Sequence, residues 1–194
     1  MKTLPHSFYS RKTITVAKEL LGKIILRHIG RTTLSGMIVE TEAYLFDDPA
    51  SHSFRGMTER NKTMFGKPGH LYVYFTYGMH YCANVVTNSE GIGEAVLIRA
   101  VEPVEGIRKM TALRSIKRPV PIEQLTDGPA KFAQSFGLTT EHSGLDLTTG
   151  TVVIAEGEPV PRSEIVTTTR IGISSAKEEL RRFYRKGNPW VSKT

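Results

Sequence analysis

The sequence predicts one domain in which strands joined by tight turns are combined with short helices. Three observations carry this. The chain has 194 residues, the length of a single domain able to bury about 70% of its unfolded surface. Its 39% hydrophobic and 23% charged content falls in the globular range once glycine joins the apolar count. Strand-like runs with β-branched and aromatic residues are separated by glycine turns, and the helix-like runs are short.

Taken in order, residues 1–10 read as irregular. Thr13 to Leu21 reads as a short helix with Ile14, Val16, Leu20 and Leu21 as its apolar face, stopped by Gly22. Lys23 to His28 is strand-like, and Ile29-Gly30-Arg31 turns it into the run Gly36 to Tyr44. In that run Glu40, Glu42 and Tyr44 stand at i, i+2 and i+4, which a strand places on one face. Leu71 to Tyr77 is a further strand, with Tyr72 and Tyr74 on one side and Leu71, Val73 and Phe75 on the other. Tyr77-Gly78 turns the chain into His80 to Thr87, because glycine supplies the positive φ of a tight hairpin. Between these strands, residues 45–70 form a long loop, a length that is usually functional when ordered.

Glu94 to Val104 is a nearly continuous apolar strand with one interior charge, Arg99. An arginine there needs an acidic partner or an anion, since an unpaired buried charge is too costly. Residues 104–115 read as a helix, with Ile107, Met110 and Leu113 on one face, and Lys117 to Pro121 breaks it. Asp127-Gly128-Pro129 starts a second helix, Ala130 to Phe136, ended by Gly137. Its first turn carries Lys131 and free N–H groups suited to a phosphate. Thr151 to Ala155 and Ile165 to Ile171 read as strands, and Ser175 to Glu178 has capping-box spacing ahead of a short helix.

Formal net charge is +7 and the pI is near 9.6, a balance that attracts polyanions. From Arg170 to Thr194 there are seven basic and two acidic residues, so this tail carries +5 of the total. Its Phe183, Tyr184 and Trp190 add the aromatic interleaving of nucleic-acid binders. The single cysteine, Cys82, excludes an intramolecular disulfide and suits a reducing cytosol; it reads as a small core residue. No apolar run reaches membrane-spanning length and the N-terminus has no apolar signal core, so the expectation is a cytoplasmic protein.

Neither phosphate-cradling glycine motif occurs, nor HExxH, a CxxC pair, the HxE…PCxxC pattern of zinc deaminases or the GxSxG elbow. What remains is carboxylate chemistry. A glutamate in a cleft can deprotonate water and offset positive charge building on a sugar ring. Glu40 and Glu42 compete for that role, and spacing does not choose between them. The tyrosines can stack on a flat base.

The strings VETEAY (39–44), SHSFRG with Arg60-Asn61, MFGKPGHLYVYFTYGMHYCANVV (64–86), VLIRAVEPVEG (96–106), DGPAKFAQ (127–134), GLDL (144–147) and RFYRKGNPWVS near the end run in order across nearly the whole chain. Together they resemble the alkyladenine (3-methyladenine) DNA glycosylase family. The resemblance implies an α+β fold: one domain on a curved, mainly antiparallel sheet, with peripheral helices and a protruding hairpin. It implies a monofunctional base-excision-repair enzyme that flips 3-methyladenine, 7-methylguanine, hypoxanthine or 1,N6-ethenoadenine out of duplex DNA. No metal or organic cofactor is implied, and the partner is damaged double-stranded DNA bound by a monomer. By motif position Glu42 is the general base, with Arg99 and Asp146 placing it and its water, and one of the two acids pairing with Arg99. Tyr44, His52, Tyr74 and Asn84 form the base pocket. Tyr77 is the wedge and Met79 presses on neighbouring bases. Thr58, Arg60, Met64 and Lys131 match DNA-contact positions. A non-catalytic binder of damaged DNA and a small-molecule nucleoside hydrolase are the rival readings. Glu42, Arg99 and Asp146 together argue against the first, the charge and the exposed Tyr77 turn against the second.

Overall fold

The computed structural model describes residues 1–116, 118 and 120–192. Among these, eight strands make one curled antiparallel half-barrel sheet, with four short α-helices packed around it, an α+β fold. The strands are β1 Ile24–Ile29, β2 Thr32–Tyr44, β3 Leu71–Thr76, β4 His80–Thr87, β5 Glu94–Glu105, β6 Val152–Ala155, β7 Ile165–Thr168 and β8 Arg182–Arg185. They run in the order β3-β4-β5-β2-β1-β6, with β8 added to β2 and β7 added to β8. The helices are α1 His6–Tyr9, α2 Thr13–Glu19, α3 Ile107–Leu113 and α4 Pro129–Ser135.

The 13-residue β2 is the axis of the sheet. One edge pairs with β5 from Ser35 to Tyr44, and the other is divided between two strands. β1 takes Thr32 to Met37 and β8 takes Glu40 to Glu42. Register shifts near Ser35, Ile38 and Glu40 bend β2 where the division falls, because a bulge adds local twist to a strand. Beyond the bend, alternation sorts the side chains. Thr41 and Ala43 face the core, where the Thr41 hydroxyl donates to the Ala17 carbonyl at 2.9 Å. Glu40 and Glu42 face the other way.

The core lies between the sheet and the helices. Val16, Ala17 and Leu20 on one side, and Phe132, Ala133 and Phe136 on the other, meet Ile25, Leu34, Ile38, Val85, Val96 and Ile98. Burying each large side chain among them stabilises the fold by about 1.5–3 kcal/mol. No helix among the described residues is long and apolar enough to cross a membrane.

The early hairpin, the 71–87 hairpin and the apolar strand with Arg99 form as the patterning predicts. Five elements differ. Residues His6–Tyr9 form α1 where the sequence read as irregular. α3 begins at Ile107, because β5 continues to Glu105 and Gly106 turns the chain with φ +81°. The second helix runs one residue earlier than its apolar pattern suggested. β7 ends at Thr168, because Arg170 turns in to meet Asp48. No helix follows Ser175; Ala176 takes φ +50° and the chain goes on to β8. The predicted break at 117–121 lies partly outside the described residues.

Candidate active site

The site grows from the bend in β2. Opposite it, Ile98 pairs with Thr41 and Ala100 with Glu40, which leaves Arg99 as an unpaired bulge residue. The bulge aims its guanidinium at both glutamates. Nε lies 3.1 Å from Glu40 Oε1 and Nη1 lies 3.1 Å from Glu42 Oε1. Burial disfavours the Arg99 charge, but the carboxylates of Glu42 and Glu40 outweigh it and raise its pKa, so the buried cation is paired as its cost requires.

The two acids divide their work by what else reaches them. Glu40 also accepts from Arg182 Nε at 2.6 Å, the Ser192 N–H at 2.7 Å and the Ser192 hydroxyl at 2.8 Å. It is a saturated structural acceptor. Glu42 accepts from the Tyr44 hydroxyl at 2.8 Å and from the Ile171 N–H at 2.9 Å. Tyr44, Arg99 and Ile171 all line a cleft of about 500 Å³, so Glu42 is the carboxylate behind its wall. That volume suits one planar ligand.

The cleft has two sides. On one stand Tyr72, Tyr74, Cys82 and Asn84 of the β3–β4 hairpin, with His52 and Met64 from the long loop. On the other are Tyr44 and Ile171 to Ser174. His52 packs edge-on to Tyr74 with centroids 4.4 Å apart, and its Nδ1 lies 3.0 Å from the Tyr72 hydroxyl. Desolvation, followed by the charge of Arg60, holds the His52 imidazole below its ordinary value, favouring the neutral ring at pH 7. Burial raises all three phenols, Tyr72 to about 12 and Tyr44 and Tyr74 further, with the Glu42 charge adding to the last two. They remain neutral hydroxyls. Asn84 stands across from Tyr72 and Leu97 in the register and donates to the Tyr72 carbonyl at 3.1 Å. At the mouth Tyr77 is 79% exposed and Met79 70% exposed.

This geometry coincides with a sequence family. The family model described as methylpurine-DNA glycosylase matches residues 7–189. The chain belongs to the methylpurine-DNA glycosylase family. A relative from Carboxydothermus hydrogenoformans, named "Putative 3-methyladenine DNA glycosylase", is 52% identical over 191 residues, covering 98% of each chain. Relatives of the same name from Methanoculleus marisnigri and Chlorobaculum tepidum are each 48% identical, covering 98% and 100% of this chain and 99% and 92% of their own. The family makes the protein a DNA glycosylase, a hydrolase of N-glycosyl bonds whose substrate is DNA.

Several residues of this glycosylase lie elsewhere than the sequence suggested. Asp146 does not join Glu42 and Arg99. Its backbone pairs with that of His70 in an isolated β-bridge, while its carboxylate accepts from the Thr148 N–H and hydroxyl at 2.8 and 2.7 Å and lies 3.3 Å from His6 Nε2. An aspartate that bonds its own backbone two residues on is spent on a local turn, and Arg99 has Glu40 in its place. Met64 is a buried wall of the pocket, not a surface contact. Lys131 is held 2.6 Å from Asp127, one turn back, so its charge is already partnered. Cys82 is buried, as expected of a small core residue, and it also lines the cleft beside Tyr74. Thr58 and Arg60 stand on the rim, where the Arg60 guanidinium donates to the Phe75 carbonyl and ties the loop to the hairpin.

Sequence reasoning missed the residues that fix the walls. Asn61 donates to the His52 and Gly56 carbonyls at 2.7 and 3.0 Å and accepts from the Thr58 N–H at 2.6 Å, pinning the loop around His52. Asp48 is buried between Arg170 and Arg181, and the Arg170 guanidinium lies over the Tyr44 ring, 4.8 Å from its centroid. Arg170 and Arg182 therefore leave the basic tail for the interior. Among the described residues no group of three or more His, Cys, Asp or Glu side chains is placed to hold a metal ion.

Proposed function

We propose that the cleft receives a damaged purine flipped out of duplex DNA, and that Glu42 activates the water that releases it. The observation that carries this is a cleft of planar side chains that ends on a buried Glu42–Arg99 pair, with an exposed aromatic at its mouth. A base inside a duplex is out of reach, so it must leave the stack at a cost of a few kcal/mol, least for damaged or mispaired bases. Tyr77, projecting from its hairpin, fills the vacated space, with Met79 against the neighbouring bases and Thr58 and Arg60 along the backbone.

In the cleft Tyr44 and Tyr74 stack on the base and His52 offers a hydrogen bond near the sugar. Asn84 excludes purines whose exocyclic amino group would clash with it. Water attacks C1′ as the glycosidic bond breaks, its proton passes to Glu42, and the bonding pair leaves with the base. Cationic 3-methyladenine and 7-methylguanine leave as neutral molecules, whereas hypoxanthine and 1,N6-ethenoadenine need a proton or hydrogen bonds. Glu42 has no solvent exposure, so the reacting water reaches it through the wall that Tyr44, Arg99 and Ile171 form, with the Tyr44 hydroxyl still donating to Oε2. Among the described residues no lysine lines the cleft, in keeping with a monofunctional reaction without a Schiff base. The chain acts as one catalytic domain, a monomer in the cytoplasm.

Single-turnover release from duplexes carrying one lesion, with Glu42→Gln alongside, tests this reading. Wild type should release the base and Glu42→Gln should bind the duplex without releasing it, since the amide keeps the shape and loses the basicity. Comparable release by both proteins would overturn it.

A further inference from the structure

The segment that runs from β8 to Ser192 is fastened to the site from behind. Three nitrogens of Arg99 meet three different side chains: Nε meets Glu40, Nη1 meets Glu42, and Nη2 donates to the Ser192 hydroxyl at 3.3 Å. A guanidinium is a rigid planar fork, so three partners around its rim fix its orientation. Two of them are tied to each other, because Ser192 binds the Glu40 carboxylate through both its N–H and its hydroxyl. Arg182 closes the set, donating from Nε to Glu40 and from Nη2 to the Ser192 carbonyl at 3.2 Å. The segment leading to Ser192 is anchored as well. β8 pairs with β2, the Lys186 N–H reaches the Glu164 carbonyl, and Asn188 donates to Glu102 at the end of β5. Glu40, Arg99, Arg182 and Ser192 are all buried.

We propose that Ser192 and Glu40 are positioning residues through which the docked C-terminal segment locks Arg99 in the orientation that faces Glu42. The inference rests on Glu42 being the base. Two arginines and two glutamates balance in formal charge, and Arg99 is the member of the cluster that lines the cleft. With Ser192 removed, the Arg99 plane keeps one fixed partner behind it and is free to swing out of line with Glu42. A carboxylate that loses a cationic neighbour holds its proton more tightly, so excision should fail at higher pH than before. The other charged and titratable groups around Glu42 are Tyr44 and Glu40 on β2, Tyr74 on β3, Cys82 on β4, Arg182 on β8 and Arg170 behind Tyr44. The Ser192 substitution leaves all of them in place.

The test is single-turnover release as a function of pH for wild type, Ser192→Ala, Ser192→Thr and Glu40→Gln, with Glu42→Gln as reference and thermal unfolding of each variant. Ser192→Ala should slow release roughly tenfold at pH 7, the loss expected of one charge-assisted hydrogen bond. It should also move the acidic limb to higher pH and leave lesion-duplex affinity unchanged. Ser192→Thr, which keeps the hydroxyl, should restore both rate and limb. Slower release with an unmoved limb, or a lower unfolding temperature with no kinetic change, would make the tail a structural clasp and overturn the proposal. If Glu42→Gln itself releases the base, the assignment of the base is what has failed, and the limb of Ser192→Ala reports on some other group.

Discussion

Replacing Asp48 by asparagine keeps the size of the side chain and removes the charge that neutralises a buried arginine. In the native protein the Asp48 and Arg170 side chains have no solvent exposure and Arg181 has 16%. Removing one partner of such a pair costs about 3–5 kcal/mol, because the other charge stays buried. Arg181 has an alternative partner in Glu179 at 3.4 Å, and Arg170 keeps the Ala43 carbonyl and the face of Tyr44. The low end, about 3 kcal/mol, is therefore expected. In a chain of this size roughly 1 kcal/mol moves Tm by about 2–4 °C, so Tm should fall by roughly 6–12 °C. Burial pushes the Asp48 carboxyl up, but the Arg170 hydrogen bond, the Ala50 N–H and the charges of Arg170 and Arg181 bring it below its ordinary value. A depressed carboxylate contributes stability that is complete above its unfolded pKa of about 3.9 and is lost as pH falls through the folded value. Urea unfolding should show the full gap between wild type and Asp48→Asn at pH 7 and a shrinking one below about pH 4. A gap under about 1 kcal/mol at pH 7, or one that persists unchanged in acid, would refute the reasoning.

Tyr77 takes φ +50°, a conformation that asparagine adopts more readily than tyrosine. Tyr77→Asn should raise stability by about 0.5–1 kcal/mol in thermal unfolding and weaken lesion-duplex binding by the roughly 1–3 kcal/mol of one lost stacking contact; unchanged affinity would contradict the wedge. Tyr44→Phe removes the hydroxyl that donates to Glu42 at 2.8 Å and leaves the ring over Arg170. Single-turnover release should slow about tenfold, since hydrogen bonds to charged groups contribute about 1.5–3 kcal/mol, while binding holds; an unaltered rate would show that this hydrogen bond plays no part.

What the sequence made legible was local. The 71–87 hairpin could be placed to within one residue, since period-2 alternation and a Tyr-Gly turn both lie within a short window. Arg99 announced that it needed an acid, because one charge in an apolar strand has no other reason to be there. The pairings that decide the site are distant. Glu40 meets Ser192 from 152 residues away and Asp48 meets Arg170 from 122. Nothing in the neighbourhood of either carboxylate marks it, so spacing alone could not separate Glu40 from Glu42. Asp146 was misplaced for the opposite reason: its motif is recognisable, but its side chain is consumed by Thr148 next door. The Ser175 capping-box spacing failed because a cap offers a few tenths to about 2 kcal/mol, less than Arg170 and Arg182 gain on either side by reaching buried carboxylates.

The same pairings change how the basic tail should be understood. Its composition suggested a positively charged, aromatic surface for nucleic acid. In the fold, Arg170, Arg181 and Arg182 are drawn against Asp48 and Glu40, and Phe183 is buried in the core. Their charges are cancelled at contact distance and contribute little to the field felt by a phosphate. If DNA docks at the cleft as proposed, the attraction comes mainly from cations that remain exposed, among them Arg55 and Arg60 on the long loop. The tail serves the site differently. Through Asp48 it holds the loop and Tyr44 on one side of the cleft, and through Glu40 it holds Arg99 behind Glu42. The order of the pocket thus depends on the segment from Arg170 to Ser192, and a DNA glycosylase that lacked it would be expected to keep much of its sheet while losing the alignment of its carboxylate and arginine.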